Sequence, residues 1–431
     1  MNIITGTPHA GSRPFWFYLL IFVVALLSPS LVFGQDYRFI TGKVSDAATG
    51  KPLPLASIVL LETTISNITN ADGVFTLKIP AIMAQADSVL INYLGYKSLR
   101  MAVKDFETKK LRTVRLEPDP ISLSSVTVRP GDALALFNAA FSAEKIKSNY
   151  SPVPRGFTGF YREIIKKGNQ YLTLNEAVLD ISKASYTNNS NDNIAIYKGR
   201  GNQNVKAADT LFLQLQGGPL STMYLDLAKY NFAGCDLLSA PVYYNFWMGP
   251  GIYKDGKNVY VLNFNQKDSV TEILFRGKLY IESESLALIR AEFSMNAEDN
   301  PVAWKEFVKR KADNLKLGVE YANYMINYKQ YGSKWYYDYG RIDLKFNAKY
   351  KGKLLGNKFT IVSELAVTDI DNKAALKLEG QKRIRNRDIM SAKVNDFTDE
   401  DFWEGYNIIE PDESIETIIS KIIKQLRKRD K

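Results

Sequence analysis

From Phe39 onward the chain is written in short runs that alternate apolar and polar positions, interrupted by Gly, Pro, Asn and Asp. "FITGKVSD" alternates, "AATGKPLP" is a turn cluster around Gly50, Pro52 and Pro54, and "LASIVLLE" is a strong β run. In "NADGVFTLKIP", Phe75, Leu77 and Ile79 fall on one side and Val74, Thr76 and Lys78 on the other. The Asp72-Gly73 pair ahead of them supplies left-handed backbone, which predicts a β-hairpin. "SVLINYLGYKSLRMAV" reads as two strands broken at Gly95, and "KLRTVRLEP" alternates up to Pro118. About seven short strands in roughly eighty residues predict a small β-sandwich.

"DPISLSSVTVRPGD" is a connector with Pro120 and Pro130. The period then changes. "DALALFNAAFSAEKIKSNY" places Leu136, Ala140, Phe141 and Ile146 on one helical face, with Asp132 to cap the start and Pro152 and Pro154 to stop it. One helix from Asp132 to about Asn149 is expected.

Beyond Phe157 alternation returns in longer runs. "YLTLNEAVLDI" is extended, and "GKNVYVLNF" follows an Asp255-Gly256 turn. "GKLYIESESLALIRAEFSM" folds back on itself as a hairpin. "GRIDLKFNAKY" aligns Ile342, Leu344, Phe346 and Ala348, and "KFTIVSELAVTDI" aligns Phe359, Ile361, Leu365 and Val367. Such strands predict a large antiparallel sheet, curved and half-barrel-like. Near the C-terminus, acidic residues give way to Ile415, Ile418, Ile419, Ile422, Ile423 and Leu426 on one stripe. This predicts a terminal amphipathic helix docked on the body.

The fold class read from these patterns is mainly β: a small N-terminal β-sandwich, then a large antiparallel sheet with a few helices. The boundaries are 1–34 for a signal peptide, 36–118 for the sandwich and 119–131 for a linker. A β-rich domain follows over 132–395, and an acidic segment with the terminal helix over 396–431. The signal peptide rests on Arg13, on an apolar run from Phe15 to Leu27 too short to span a bilayer, and on small residues Val32 and Gly34 before Gln35. An uncleaved anchor over Phe15 to Phe33 is the alternative. Export to the periplasm or outer membrane is therefore expected.

At "GKVSDAATGKPLPLASIVL", "NADGVFTLKIP" and "INYLGYKS" the chain resembles the carboxypeptidase regulatory-like domain, a transthyretin-like sandwich. That resemblance implies an accessory module at the front of an exported or outer-membrane protein. "GFYREIIKKGNQYLTLNEAVLDI" and "DFWEGYNIIEPDESIETIISKI" resemble a family of exported proteins that carry the same front domain, with no activity attached. "FRGKLYIESESLALIRAEF" is similar, at the level of fold, to the curved sheet of periplasmic lipoprotein carriers.

Composition narrows the chemistry. The chain of 431 residues holds one His, His9, which lies in the signal region. Imidazole-based zinc sites, the Ser-His-Asp triad and the Cys-His pair are thus excluded from the mature chain. The family name does not make this a peptidase, and no cofactor or metal is expected. Cys235 stands alone, so no internal disulfide forms; it reads as a small buried hydrophobe. The net charge of +10 is spread along the chain up to the last residues, which disfavours nucleic acid as a partner.

Three candidate sites follow. "SAEK" (Ser142 to Lys145) fits Ser-x-x-Lys but lacks the companion motifs of acyl-transfer enzymes. Glu163, Glu176 and Asp180 could run glycoside hydrolysis without histidine if two of them face each other. The aromatic clusters offer Tyr243, Tyr244, Phe246 and Trp247, then Trp335, Tyr336 and Tyr337, as ligand-contact residues for sugars or lipids. The leading expectation is a non-enzymatic envelope protein with a binding, assembly or transport role, its partner an outer-membrane protein, a glycan or a lipid. A carboxylate-based glycan hydrolase is the alternative.

Overall fold

The computed structural model describes residues 37–419 apart from 84, 107–110, 120–131, 204–217, 299, 308–312, 353, 355, 371–377, 379–382, 397–401, 404, 413–414, 416 and 418. The signal segment, nearly all of the linker and the last part of the terminal helix lie outside the described residues.

The front module contains β1 (Tyr37–Asp46), β2 (Ser57–Leu60), β3 (Ser66–Ile68), β4 (Val74–Pro80), β5 (Ser88–Asn92), β6 (Leu99–Ala102) and β7 (Arg112–Leu116). They form two sheets, ordered β4-β1-β7 and β3-β2-β5-β6. Phe75, Leu77 and Ile79 are fully buried between the sheets with Ile40, Val44, Ile58 and Ile91. The sandwich expectation holds. The hairpin expectation at Asp72-Gly73 does not, because β3 and β4 belong to different sheets. The turn is tight: Gly73 has φ +75° and its N–H donates to the Asn70 carbonyl at 3.0 Å. However, it carries the chain across the sandwich. A Cβ on Gly73 would meet the Val44 carbonyl at 2.4 Å, so glycine is needed for space as well as for conformation.

Two helices follow where the sequence predicts one: α1 (Asp132–Ala140) and α2 (Ala143–Asn149). Ser142 breaks the run because its hydroxyl accepts the Lys145 backbone N–H at 3.3 Å, the bond of an N-cap. The Ser-x-x-Lys pattern is thereby a helix start.

The second region is built from β8 (Arg155–Lys167), β9 (Gln170–Lys183), β10 (Asn193–Gln203), α3 (Pro219–Met223), α4 (Ala240–Tyr243), β11 (Tyr244–Met248), β12 (Ile252–Lys254), β13 (Lys257–Gln266), β14 (Phe275–Glu282), β15 (Leu288–Met295), β16 (Leu315–Tyr331), β17 (Lys334–Tyr350), β18 (Asn357–Ile370) and β19 (Asn395–Asp396). One sheet of 12 strands results, in the order β11-β13-β14-β15-β16-β17-β18-β8-β9-β10-β19, with β12 also on β13. All its pairings are antiparallel except β10 with β19. The sheet is open at both margins and does not close into a barrel.

Its two faces are covered differently. The inner face carries Ile342, Leu344, Phe346 and Ala348, as the alternation predicts; these pack with Ala303, Trp304 and Phe307, while α1 and α3 cover the rest of the face around Phe157, Leu179 and Leu365. Phe137 of α1 stacks on Phe246 at 4.4 Å and meets Phe232 edge-on at 5.0 Å. Gly340 lies under α3: a Cβ there would come within 2.1 Å of the Tyr337 hydroxyl and 3.0 Å of the Thr222 carbonyl. Phe160, Val178, Tyr339 and Ala366 on the outer face share a cluster with Ile68 of the sandwich and with Trp403, Ile408 and Ile409. Segment 405–411 is a clasp between the two modules. Asn407 exchanges hydrogen bonds with the Lys78 backbone at 2.8 and 3.1 Å, and Asn67 donates to the Ile408 carbonyl at 2.7 Å. The expected terminal helix begins at Asp412, whose carboxylate accepts the Ile415 N–H at 2.9 Å. Ile415 and Ile419 pack on Ile164 and Leu174; Ile418, Ile422, Ile423 and Leu426 lie outside the described residues.

Candidate functional groove

The outer face that the sandwich and clasp leave uncovered holds a groove of about 560 Å³. Its floor is two cross-strand rows of side chains. The first runs Trp247, Asn263, Lys278, Glu292, Met325 and Arg341, each directly opposite the next. The second runs Asn265, Arg276, Ser294, Asn323 and Asp343. Period-2 alternation puts polar residues on this face of every strand, and the register brings them side by side.

Part of this polar set is internally satisfied. Arg276 donates to Asn296 at 2.6 Å and to Glu298 at 3.1 Å. Ser294 lies 2.6 Å from Asn323, and Glu292 accepts from Arg290 at 2.6 Å and from Tyr280 at 3.2 Å. Other groups are open to a ligand. Trp247 is 49% exposed, and Lys278 is exposed without an acidic partner among the described residues.

The first row continues under the clasp as a ladder of alternating charge: Arg341, Glu364, Arg162, Glu176 and Arg200. Successive contacts are 3.2, 3.6, 2.7 and 2.9 Å. Burial alone would raise the Glu176 carboxyl, but Arg162 and Arg200 outweigh it and hold the carboxyl below its ordinary range. Burial likewise disfavours the Arg162 cation, and Glu176 with Glu364 reverses that. Arg162 also donates to the Ile409 carbonyl at 2.8 Å, joining the ladder to the clasp.

The three carboxylates read from sequence do not form a site. Glu176 and Asp180 are on the outer face and Glu163 on the inner one, one residue out of phase with Arg162. Glu163 is buried, accepting from Asn175 at 3.1 Å and Tyr161 at 3.2 Å. Burial pushes its carboxyl up to about 7 against those two hydrogen bonds.

The seven aromatic candidates are divided by the fold. Tyr244 is buried and its hydroxyl donates to the Ala233 carbonyl. Tyr337 is buried with its hydroxyl 3.2 Å from the Thr222 carbonyl, and Tyr336 meets Phe157 edge-on at 5.9 Å. Phe246 and the half-buried Tyr243 pack against the inner core. Trp335 is half-buried at the margin where the inner core meets the patch under Leu94 of the sandwich. Trp247 alone of the seven lines the groove.

Sequence reasoning missed one buried cluster. Lys183 lies 2.7 Å from both Asp192 and Asp226, with Tyr230 donating to Asp192 at 2.8 Å and Tyr328 to Asp226 at 2.8 Å. Burial would lower the Lys183 ammonium, and the two aspartates raise it instead. Asp192 sits in "NNSNDN", which reads as a loop; no local pattern marks it as the partner of a lysine. Cys235 is buried, and desolvation pushes its thiol up to about 11. Among the described residues no group of three His, Cys, Asp or Glu could hold a metal ion, and no helix is long and apolar enough to cross a membrane.

Residues 40–128 match the family model of the CarboxypepD_reg-like domain, so the front sandwich is a domain of that kind. A comparison with curated protein sequences gives no significant match. Among solved structures the chain is similar to a DUF1329 family protein from Desulfovibrio piger ATCC 29098, at 13% identity over 58% of this chain and 99% of that one, with a TM-score of 0.21. It is also similar to a LolA superfamily protein from Nitrosomonas europaea, at 12% identity over 57% of this chain and 97% of that one, TM-score 0.21. At that score neither likeness carries an argument about function.

Proposed function

We propose that this chain is a non-enzymatic binding protein of the cell envelope that holds a glycan in the outer groove. The observation that carries the reading is the groove floor: two aligned rows of amides, carboxylates and cations, with an exposed indole at one end. Hydroxyl-rich ligands need many short-range donors and acceptors plus an aromatic face for the apolar side of a ring, and this lining supplies both. A lipid is less suited, because the apolar inner face is packed by the chain's own Phe137, Phe232 and Phe246. The envelope setting rests on the export signal read from residues 1–34. The carboxypeptidase regulatory-like sandwich then serves as a docked accessory module.

Calorimetric titration with envelope oligosaccharides tests this. Saturable binding is expected, weakened on the order of tenfold or more by Trp247→Ala, an aromatic anchor being worth about 2 kcal/mol. Binding of an extended peptide in place of any oligosaccharide, or glycan binding indifferent to Trp247, would overturn the reading. Release of reducing sugar during the titration would make the protein an enzyme.

A further inference from the structure

The end of the large sheet remote from the small sandwich has a chemistry of its own. There the β8–β9 hairpin and the β17–β18 hairpin turn side by side, tied by a hydrogen bond of 2.8 Å from the Gly168 N–H to the Lys358 carbonyl. The first tip carries Lys166 and Lys167, the second Lys349 and Lys351, and β16 enters the sheet beside them with Lys316. Glu320 is already shared by Lys345 at 2.9 Å and Lys358 at 3.1 Å. None of the five remaining lysines pairs with an acid among the described residues. Lys316 and Lys349 stand directly opposite each other across the β16–β17 pair. Like charges in that position repel, and no acidic side chain pairs with either among the described residues. In the turn between β17 and β18, Leu354 is 90% exposed.

We propose that this end of the sheet docks on an anionic lipid surface, with Leu354 entering the headgroup layer and the lysines facing acidic headgroups. A protruding apolar residue on a hairpin end rich in lysines matches both layers of such a surface, and each lysine near the surface strengthens binding about fivefold at moderate salt. The charge repulsion between Lys316 and Lys349 is relieved when acidic headgroups fill the space between them. The proposal does not depend on the groove or its ligand, which lies on the outer face.

Vesicle co-sedimentation provides the test, with the chain from Gln35 onward, because the apolar run before it would itself bind lipid. Vesicles of neutral phosphatidylcholine alone are compared with vesicles containing about one third phosphatidylglycerol. Binding is expected only to the anionic vesicles and should fall steeply with added salt. The double variant Lys349→Glu/Lys351→Glu should bind more than tenfold more weakly. Leu354→Ser, at a site with no packing to lose, should weaken binding several-fold at every salt concentration. Thermal melts of both variants matching the parent chain separate a docking defect from misfolding. Equal binding to neutral and anionic vesicles, no binding to either, or binding unaffected by both variants would overturn the proposal. So would capture of a soluble polyanion such as heparin through the same lysines without any vesicle binding.

Discussion

Arg162 donates from both Nε and Nη2 to a single oxygen of Glu176, at 2.8 and 2.7 Å, with each side chain almost entirely withdrawn from solvent. The pair spans β8 and β9 beneath the clasp, and the same guanidinium reaches Glu364 on β18 and the Ile409 carbonyl. Three strands and the segment that fastens the sandwich therefore share one cation.

Removing that cation should be costly in a way a surface ion pair is not. Arg162→Met leaves Glu176 with Arg200 as its cation and Glu364 with Arg341 and the Tyr339 hydroxyl, and strands the Ile409 carbonyl. Breaking a buried pair from one side costs about 3–5 kcal/mol. Urea denaturation should show the midpoint falling accordingly, while Lys97→Ala, at an exposed pair with Glu117, should stay within about 0.5 kcal/mol of the parent. An Arg162→Met midpoint equal to that of Lys97→Ala would show that the ladder contributes nothing.

Glu163 gives a pH dependence of known sign. Its carboxyl is held near 7 in the folded chain against an ordinary value of 4.5, so the folded state keeps a proton that the unfolded state releases. Its contribution is therefore fully present below about pH 4.5 and is lost as pH rises through 7, a difference of about 3 kcal/mol. Glu163→Gln should flatten the stability profile between those pH values and make the protein more stable than the parent at pH 8. A variant profile that parallels the parent across that window would refute the assignment.

Trp403 is the apolar counterpart of the ladder. It meets Phe160 edge-on at 5.6 Å and lies under the Arg200 guanidinium at 4.8 Å. It also shares a cluster with Ile68 of the sandwich. Trp403→Ala should cost about 3–5 kcal/mol and loosen the clasp. Calorimetry should then resolve two transitions where the parent shows one, with hydrogen exchange at β3 and β4 rising first. One undivided transition, lower in temperature, would mean that the modules stay coupled without the indole.

Much of this architecture was legible in the chain. Alternation alone marks Phe75, Leu77 and Ile79, or Ile342, Leu344 and Phe346, as sharing a face, because side chains on a strand repeat every two residues whatever the strand pairs with. Single-letter chemistry gave the absence of histidine its force in the same direct way. Local patterns failed where a rare polar side chain intervened. Ser142 falls inside a helical run, and the apolar stripe of Leu136, Ala140, Phe141 and Ile146 does not reveal that the Ser142 hydroxyl will cap a new helix. Asp72-Gly73 promises a tight turn but not which sheet the next strand joins.

The groove, the ladder and the split among the aromatics were set by the tertiary structure. Trp247 and Phe246 are adjacent and equally aromatic in sequence; the pleat puts them on opposite faces, and the register on β13, with Trp247 opposite Asn263 and Phe246 opposite Phe264, decides which of them faces the groove. Glu163 and Glu176 look like a catalytic pair until β8 meets β9 with Arg162 opposite Glu176. β8 also pairs with β18, some two hundred residues later in the chain, and without that pairing Glu364 never reaches Arg162. By itself the sequence determines which positions can share a face. Which face is buried, and which charges become neighbours across it, is decided by strand order and register, since these depend on contacts between residues far apart in the chain.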